Sequence, residues 1–106
     1  MPPTLHDVTG ALRIKAAALF HAAGFLLAKG QIAEATLDKQ EAEDCNNRAD
    51  ALAAGDAFKN FPSAAVLQQL ADDCDALQTA IDTSAAVTDV VNAAAKVRQS
   101  MPAKSV

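Results

Sequence analysis

Alanine dominates the hydrophobic residues of this 106-residue chain, and it recurs with leucine and valine at helical spacing. Alanine forms helices best because its side chain loses no conformational entropy there. The chain has four phenylalanines and neither tryptophan nor tyrosine, so the aromatic and β-branched clusters that build strands are missing. The sequence therefore predicts a single all-α domain, a compact bundle of Ala-rich helices.

Capping residues and helix breakers divide the chain into segments. Thr4 followed by Asp7 is typical of a helix start, and Gly30 is typical of a helix end. Gly55 ends the second helix, and Pro62 opens the third. The predicted helices span residues 5–29, 31–54, 63–81 and 84–100, and the residues after 100 are expected to fray. The last two segments can be separate or joined, so three or four antiparallel helices are predicted.

The first predicted helix is apolar on almost every side of its second half. The run from Ala16 to Ala28 is interrupted only by His21 and Gly24. Such a helix is usually central in its bundle, and Gly24 predicts a close helix crossing. The run is shorter than the roughly 20 apolar residues that span a bilayer, and Asp7 argues against a signal peptide. We therefore expect a cytoplasmic protein without a membrane partner.

The distribution of charge excludes one class of partner. Residues 31–95 hold twelve acids against three bases, while both ends of the chain are basic. Nucleic-acid binding needs clustered lysine and arginine, and single strands also need aromatic stacking platforms. We therefore expect no nucleic-acid partner and interpret the acids as solvated helix faces.

The two cysteines and the two histidines suggest structural roles. Cys45 and Cys74 should lie at the same height if the second and third helices are antiparallel. Two packed thiols are favoured there, and a disulfide is the alternative. His21 lies in the apolar half of the first helix, which favours a hydrogen-bonded core residue, whereas His6 lies in an exposed first turn.

An apolar seam follows the third and fourth predicted helices. Leucines and isoleucine at 3-4-3-4 spacing are typical of a coiled-coil surface. We predict that this seam binds another helix, so that the protein is a non-enzymatic interaction module, a homodimer or the partner of another helical protein. The predicted interface residues are Leu67, Leu70, Leu77, Ile81, Val87 and Val91.

Two pairs of acids give an alternative hypothesis. Glu41 and Asp44 lie three residues apart on the second helix, as do Asp72 and Asp75 on the third. Residues 41–75 thereby resemble the all-α nucleotide pyrophosphohydrolases of the MazG type, which carry an ExxE and an ExxD pair on neighbouring helices. The resemblance implies a Mg²⁺ or Mn²⁺ cofactor and hydrolysis of a nucleotide, although Asp44 and Asp72 stand where that family has glutamates. The interaction module implies no cofactor.

Overall fold

The structure, a computed structural model, describes residues 2–106. These residues form four α-helices and no strand: α1 (Leu5–Ala28), α2 (Ile32–Ala53), α3 (Ala64–Asp82) and α4 (Val87–Gln99). A short 3₁₀ turn, Ala103–Ser105, follows α4. The all-α prediction is confirmed, and of the two alternatives left open by the sequence the structure has four helices.

Local sequence chemistry explains where the helices begin and end. Thr4 and Asp7 form a reciprocal capping box at the start of α1, and Ser63 caps the backbone N–H of Val66 at the start of α3. Gly30 follows α1 with a φ of 79°, a left-handed conformation that glycine adopts without strain. Ser84 has a φ of 52°, so α4 begins at Val87 and not at the predicted residue 84.

Helix α1 is the centre of the bundle and packs against α2, α3 and α4. Its core face includes Val8, Leu12, Leu19 and Leu26, all without exposed surface. Contacts with α2 pair an early residue of one helix with a late residue of the other, as in the ion pair of Arg13 with Asp50. Among the residues described, α2 and α3 make no extended contact with each other, since each packs on α1.

The predicted interface along α3 and α4 is largely internal, because its residues lie in the core of their own chain or pack against it. Leu70, Leu77 and Ile81 are buried, and Leu67, Val87 and Val91 are partly buried and pack against the same core. The 3-4 spacing on α3 is that of a packing seam, but α1 and α4 of the same molecule pack against this helix.

The residues after α4 are ordered, contrary to the expected fraying. Met101, Ala103 and Val106 are buried. Arg48 of α2 donates a hydrogen bond to the main-chain oxygen of Val106. This segment therefore belongs to the core and covers one side of α2.

Candidate functional site

The four carboxylates of the predicted metal site do not come together. Glu41 accepts a hydrogen bond from Lys15, and Asp44 lines a shallow groove on α2. Asp72 accepts a hydrogen bond within α3, and Asp75 lines a groove between α1 and α3. Across residues 2–106, no three His, Cys, Asp or Glu side chains form a group that would hold a metal ion. The arrangement gives the predicted Mg²⁺ or Mn²⁺ site no support.

Lys15 is fully buried although its side chain is charged. Its Nζ atom donates to Glu41 Oε2 and to the main-chain oxygens of Arg98 and Ser100, each at 3.0 Å, and to that of Met101 at 3.3 Å. The last carbonyls of a helix have no partner within that helix. Lys15 of α1 therefore caps the end of α4, and its charge is both paired and hydrogen-bonded, as a buried charge requires.

A second ion pair joins α4 to α2. Arg98 pairs with Asp38 and, at 3.7 Å, with Glu34. Asp38 is fully buried, and its Oδ2 atom has no hydrogen-bond partner in the described part of the chain. Burial raises the pKa of Asp38, and the hydrogen bond from Arg98 opposes that shift. Together the two buried pairs hold α1, α2 and α4 in position, which is a structural role.

One strip of α1 faces solvent and carries no charge. Ala17, Phe20, Gly24 and Leu27 are all exposed, with Phe20 at 39% and Leu27 at 59% of their free surface. Their 3-4-3 spacing is that of a coiled-coil seam. We call these four residues the outer strip of α1. It is an apolar surface at helical spacing that the chain does not cover.

No close contact within residues 2–106 explains why position 24 is a glycine. A Cβ atom added there would have no neighbour within 4 Å, so the predicted crossing of a helix at Gly24 is absent. Glycine inside a helix is about 1 kcal/mol less favourable than alanine. Within the part of the chain that the structure describes, no close contact of Gly24 compensates this loss.

His21 lies beside the outer strip and is exposed, so the prediction of a core histidine is wrong. Its Nδ1 atom is 3.0 Å from Oε1 of Gln78, whose Nε2 donates to Asp82 at 2.7 Å. A carboxylate only accepts hydrogen bonds, so the amide nitrogen of Gln78 faces Asp82 and the amide oxygen faces His21. Nδ1 must then carry the proton, and Nε2 of the neutral ring has a free lone pair.

Two grooves border the outer strip. The groove on the α3 side has a volume of about 410 Å³, and His21, Cys74 and Asp75 contribute to its lining. The groove on the α2 side has a volume of about 350 Å³ and lies between Leu27 and Lys39. The α3 side thus offers an imidazole and a carboxylate, and the α2 side offers an apolar wall with one lysine.

The two cysteines are buried free thiols. Cys45 and Cys74 are buried and form no disulfide. Burial raises the pKa of the Cys45 thiol to about 12 and that of the Cys74 thiol to about 11. Because the thiolate is the reactive form, the raised pKa values and the burial disfavour nucleophilic reaction of either residue near neutral pH. Each cysteine is thus a buried small side chain, and the disulfide alternative is absent.

Helix α1 is long and apolar enough to cross a membrane, judged by length and composition alone. Core helices of globular proteins and signal sequences meet the same criterion. The absence of a membrane partner therefore stays a prediction.

A comparison with known families, characterised proteins and solved structures finds nothing that matches this chain. The resemblance of residues 41–75 to MazG-type enzymes therefore gains no support from a family match. The function has to be argued from the residues of the chain itself.

Sequence reasoning missed the outer strip of α1. The second half of α1 is apolar on almost every side, so hydrophobic spacing alone does not separate its buried side from its exposed side. A finer signal was present in side-chain size. Small residues recur every seven positions at Gly10, Ala17 and Gly24, and the large residues Phe20 and Leu27 each follow a small one by three positions.

Proposed function

We propose that this protein is a non-enzymatic helical interaction module that forms a homodimer through the outer strip of α1. The observation that carries the proposal is an exposed, uncharged strip at coiled-coil spacing, Ala17, Phe20, Gly24 and Leu27. The class of function is the one that the sequence predicts. The surface differs, because the seam of α3 and α4 is already buried.

The position of the charges favours a second copy of the same helix as the partner. The thirteen residues from Ala16 to Ala28 carry no charged side chain, and the run is centred on Ala22. If two copies of α1 pair in opposite directions about this centre, each uncharged run covers the other. No charged side chain within the run then loses its water, a loss that would oppose binding.

The alternation of side-chain size supports the same pairing. About a twofold axis at residue 22, Phe20 of one copy lies opposite Gly24 of the other, and Leu27 lies opposite Ala17. Each large side chain thereby meets a small one. Such a surface is self-complementary, as the interface of a twofold dimer must be. The pairing also explains why position 24 is a glycine, since the absence of a side chain there lets the partner helix approach closely.

The size of the interface follows from the length of the run. Thirteen helical residues extend about 20 Å, which is short for a stable interface. The grooves on both sides, of about 410 Å³ and 350 Å³, extend the surface onto α3 and α2. The second copy therefore contacts α1, α2 and α3, and the outer strip of α1 lies in the middle of the interface.

The mass of the protein in solution tests the proposal. We expect the native chain to sediment as a dimer and Gly24→Glu to sediment as a monomer, because the variant places a charge in the middle of the strip. The matched control is Ala65→Glu, which adds the same charge at an exposed position of α3 outside the strip and outside both grooves. Ala65→Glu should remain a dimer.

A second variant separates dimerisation from folding. Gly24→Ala should raise the free energy of unfolding of the monomer by about 1 kcal/mol, since alanine is the better helix former. It should also weaken the dimer, because the added methyl group separates the two helices. A native chain that is monomeric at every concentration would overturn the proposal. Binding of that monomer to lipid vesicles would assign the strip to a membrane surface instead.

Cross-linking tests the direction of pairing. In chains whose native cysteines are replaced by alanine, Ala17→Cys and Leu27→Cys should form a mixed disulfide when the two variants are combined. Cross-links within each variant alone would show parallel helices and would contradict the pairing about residue 22.

A further inference from the structure

We propose that His21 and Asp75 form half of a zinc site, which the same two residues of a second copy complete. The inference rests on the homodimer proposed above and adds a ligand to it. It starts from a side chain that the dimer alone does not explain, the exposed and oriented imidazole of His21.

The imidazole of His21 is prepared to bind a metal ion. Its Nδ1–H is fixed by Gln78, which Asp82 holds in turn. Metal-binding histidines typically donate their second ring N–H to an acceptor of this kind, which fixes the tautomer and the direction of the ring. Nε2 is left as the free donor atom for a metal.

Asp75 supplies an oxygen ligand in the same groove. It lies one helical turn before Gln78 on α3, and it lines the groove between α1 and α3 together with His21. None of the described residues that line this groove is a lysine or an arginine. The groove therefore combines one neutral nitrogen ligand with one negative oxygen ligand, which attracts a cation.

The symmetry of the proposed dimer brings two such half-sites together. His21 is one residue from the twofold axis at residue 22, so the two copies of His21 are offset by only about 3 Å along the helices. A twofold axis perpendicular to the helix pair places α3 of both copies on the same side of that pair. Both copies of His21 and both copies of Asp75 therefore face one region on the axis.

Two imidazoles and two carboxylates match the chemistry of zinc. Zn²⁺ takes four ligands in tetrahedral geometry and accepts both histidine nitrogen and aspartate oxygen. The two Asp75 carboxylates balance its charge of two.

Titration with zinc tests the inference. The purified chain is first stripped of metal, and Zn²⁺ is then added while heat and sedimentation are measured. We expect one zinc ion for every two chains and a dimer dissociation constant that falls about tenfold or more. His21→Ala and Asp75→Asn should each abolish this response, while His6→Ala, in an exposed first turn, should retain it.

The outcomes separate this inference from the homodimer. Three results would overturn the zinc site and leave the homodimer intact. The first is a metal-free dimer whose dissociation constant does not change when zinc is added. The others are binding of one zinc per chain and a zinc response of His21→Ala equal to that of the native chain. A chain that stays monomeric with and without zinc overturns both proposals. Gly24→Glu should lose the binding of one zinc per two chains although it keeps both ligands, because its half-sites no longer meet.

Discussion

Lys15 in α1 and Glu41 in α2 form an ion pair inside the bundle, with 3.0 Å between Nζ and Oε2. The Lys15 side chain has no exposed surface. Glu41 also lies 3.5 Å from the backbone N–H of Ala103. A single carboxylate thus connects α2 to α1 and to the segment after α4. Glu41 is engaged in holding the fold together, which removes it from the predicted set of metal ligands.

Replacing Lys15 should therefore destabilise the whole bundle. Lys15→Met leaves the partly buried Glu41 without its cation and leaves the end of α4 without its cap. We expect the free energy of unfolding to fall by about 3–5 kcal/mol, as when one partner of a buried pair is removed. Urea unfolding measures the change. Lys39→Met is the matched control, because Lys39 is exposed and its 3.9 Å pair with Glu43 is a surface pair. An equal loss in both variants would contradict the role given to Lys15.

Asp38 should make stability fall as the pH rises. Burial raises the pKa of Asp38 above its ordinary value of 3.8, so the folded chain keeps a proton that the unfolded chain releases. The stability from this proton is complete below pH 3.8 and is lost as the pH rises through the raised pKa. The free energy of unfolding of the native chain and of Asp38→Asn is measured at a series of pH values, and the two are compared at each pH. We expect the native chain to lose stability relative to the variant as the pH rises.

Asp7 is the control for that experiment because its pKa moves the other way. The backbone N–H of Thr4 donates to its carboxylate and lowers the pKa of Asp7. The native chain should therefore gain stability relative to Asp7→Asn as the pH rises from the acid range. Differences of the same sign for the two variants would contradict the effect of burial on Asp38.

Replacing Leu77 distinguishes a core residue from an interface residue. Leu77→Ala should lower the free energy of unfolding by about 2–5 kcal/mol, because the side chain is fully buried and its loss leaves a cavity. Val66→Ala, on an exposed part of α3, should change it by less than about 0.5 kcal/mol. Urea unfolding and sedimentation of both variants test this. A Leu77→Ala chain with native stability and altered mass would restore the interface predicted on α3.

The cysteines should react slowly in the folded protein. Burial raises the pKa of both thiols, so we expect modification by a disulfide reagent near pH 7.5 to be roughly 100-fold or more slower than in the unfolded chain. Cys74 should react before Cys45, since it retains slight exposure. The rate is measured with and without urea in the native chain and in Cys45→Ser. Rapid modification of the folded chain would contradict the burial of these thiols.

Local chemistry explains why so much of the fold could be predicted. The helix starts at Thr4 and Ser63 depend on hydrogen bonds to residues three positions away, which the sequence displays directly. The break between α3 and α4 was harder to predict. Ser84 adopts a left-handed φ without being glycine, so only the folded backbone distinguishes two helices from one.

The candidate site depended on contacts between distant residues. The predicted metal site required the acids of α2 to lie beside the acids of α3, which assumes that these two helices pack together. In the structure both helices pack on α1. His21 was predicted to be buried from its apolar neighbours in sequence, but it lies on the exposed side of α1 with Gln78 as its partner. Spacing along a helix gives relative directions, and it does not say which direction is the core.

The sequence by itself determined the all-α class, the helix boundaries to within a few residues and the existence of apolar seams, because each follows from interactions within one or two helical turns. Only the tertiary structure decided that the seam of α3 is internal and that the strip from Ala17 to Leu27 is exposed. The physical reason is that only the side of α1 in contact with the other helices is buried. Its core side is filled by three helices, and its outer side remains open to solvent or to another molecule.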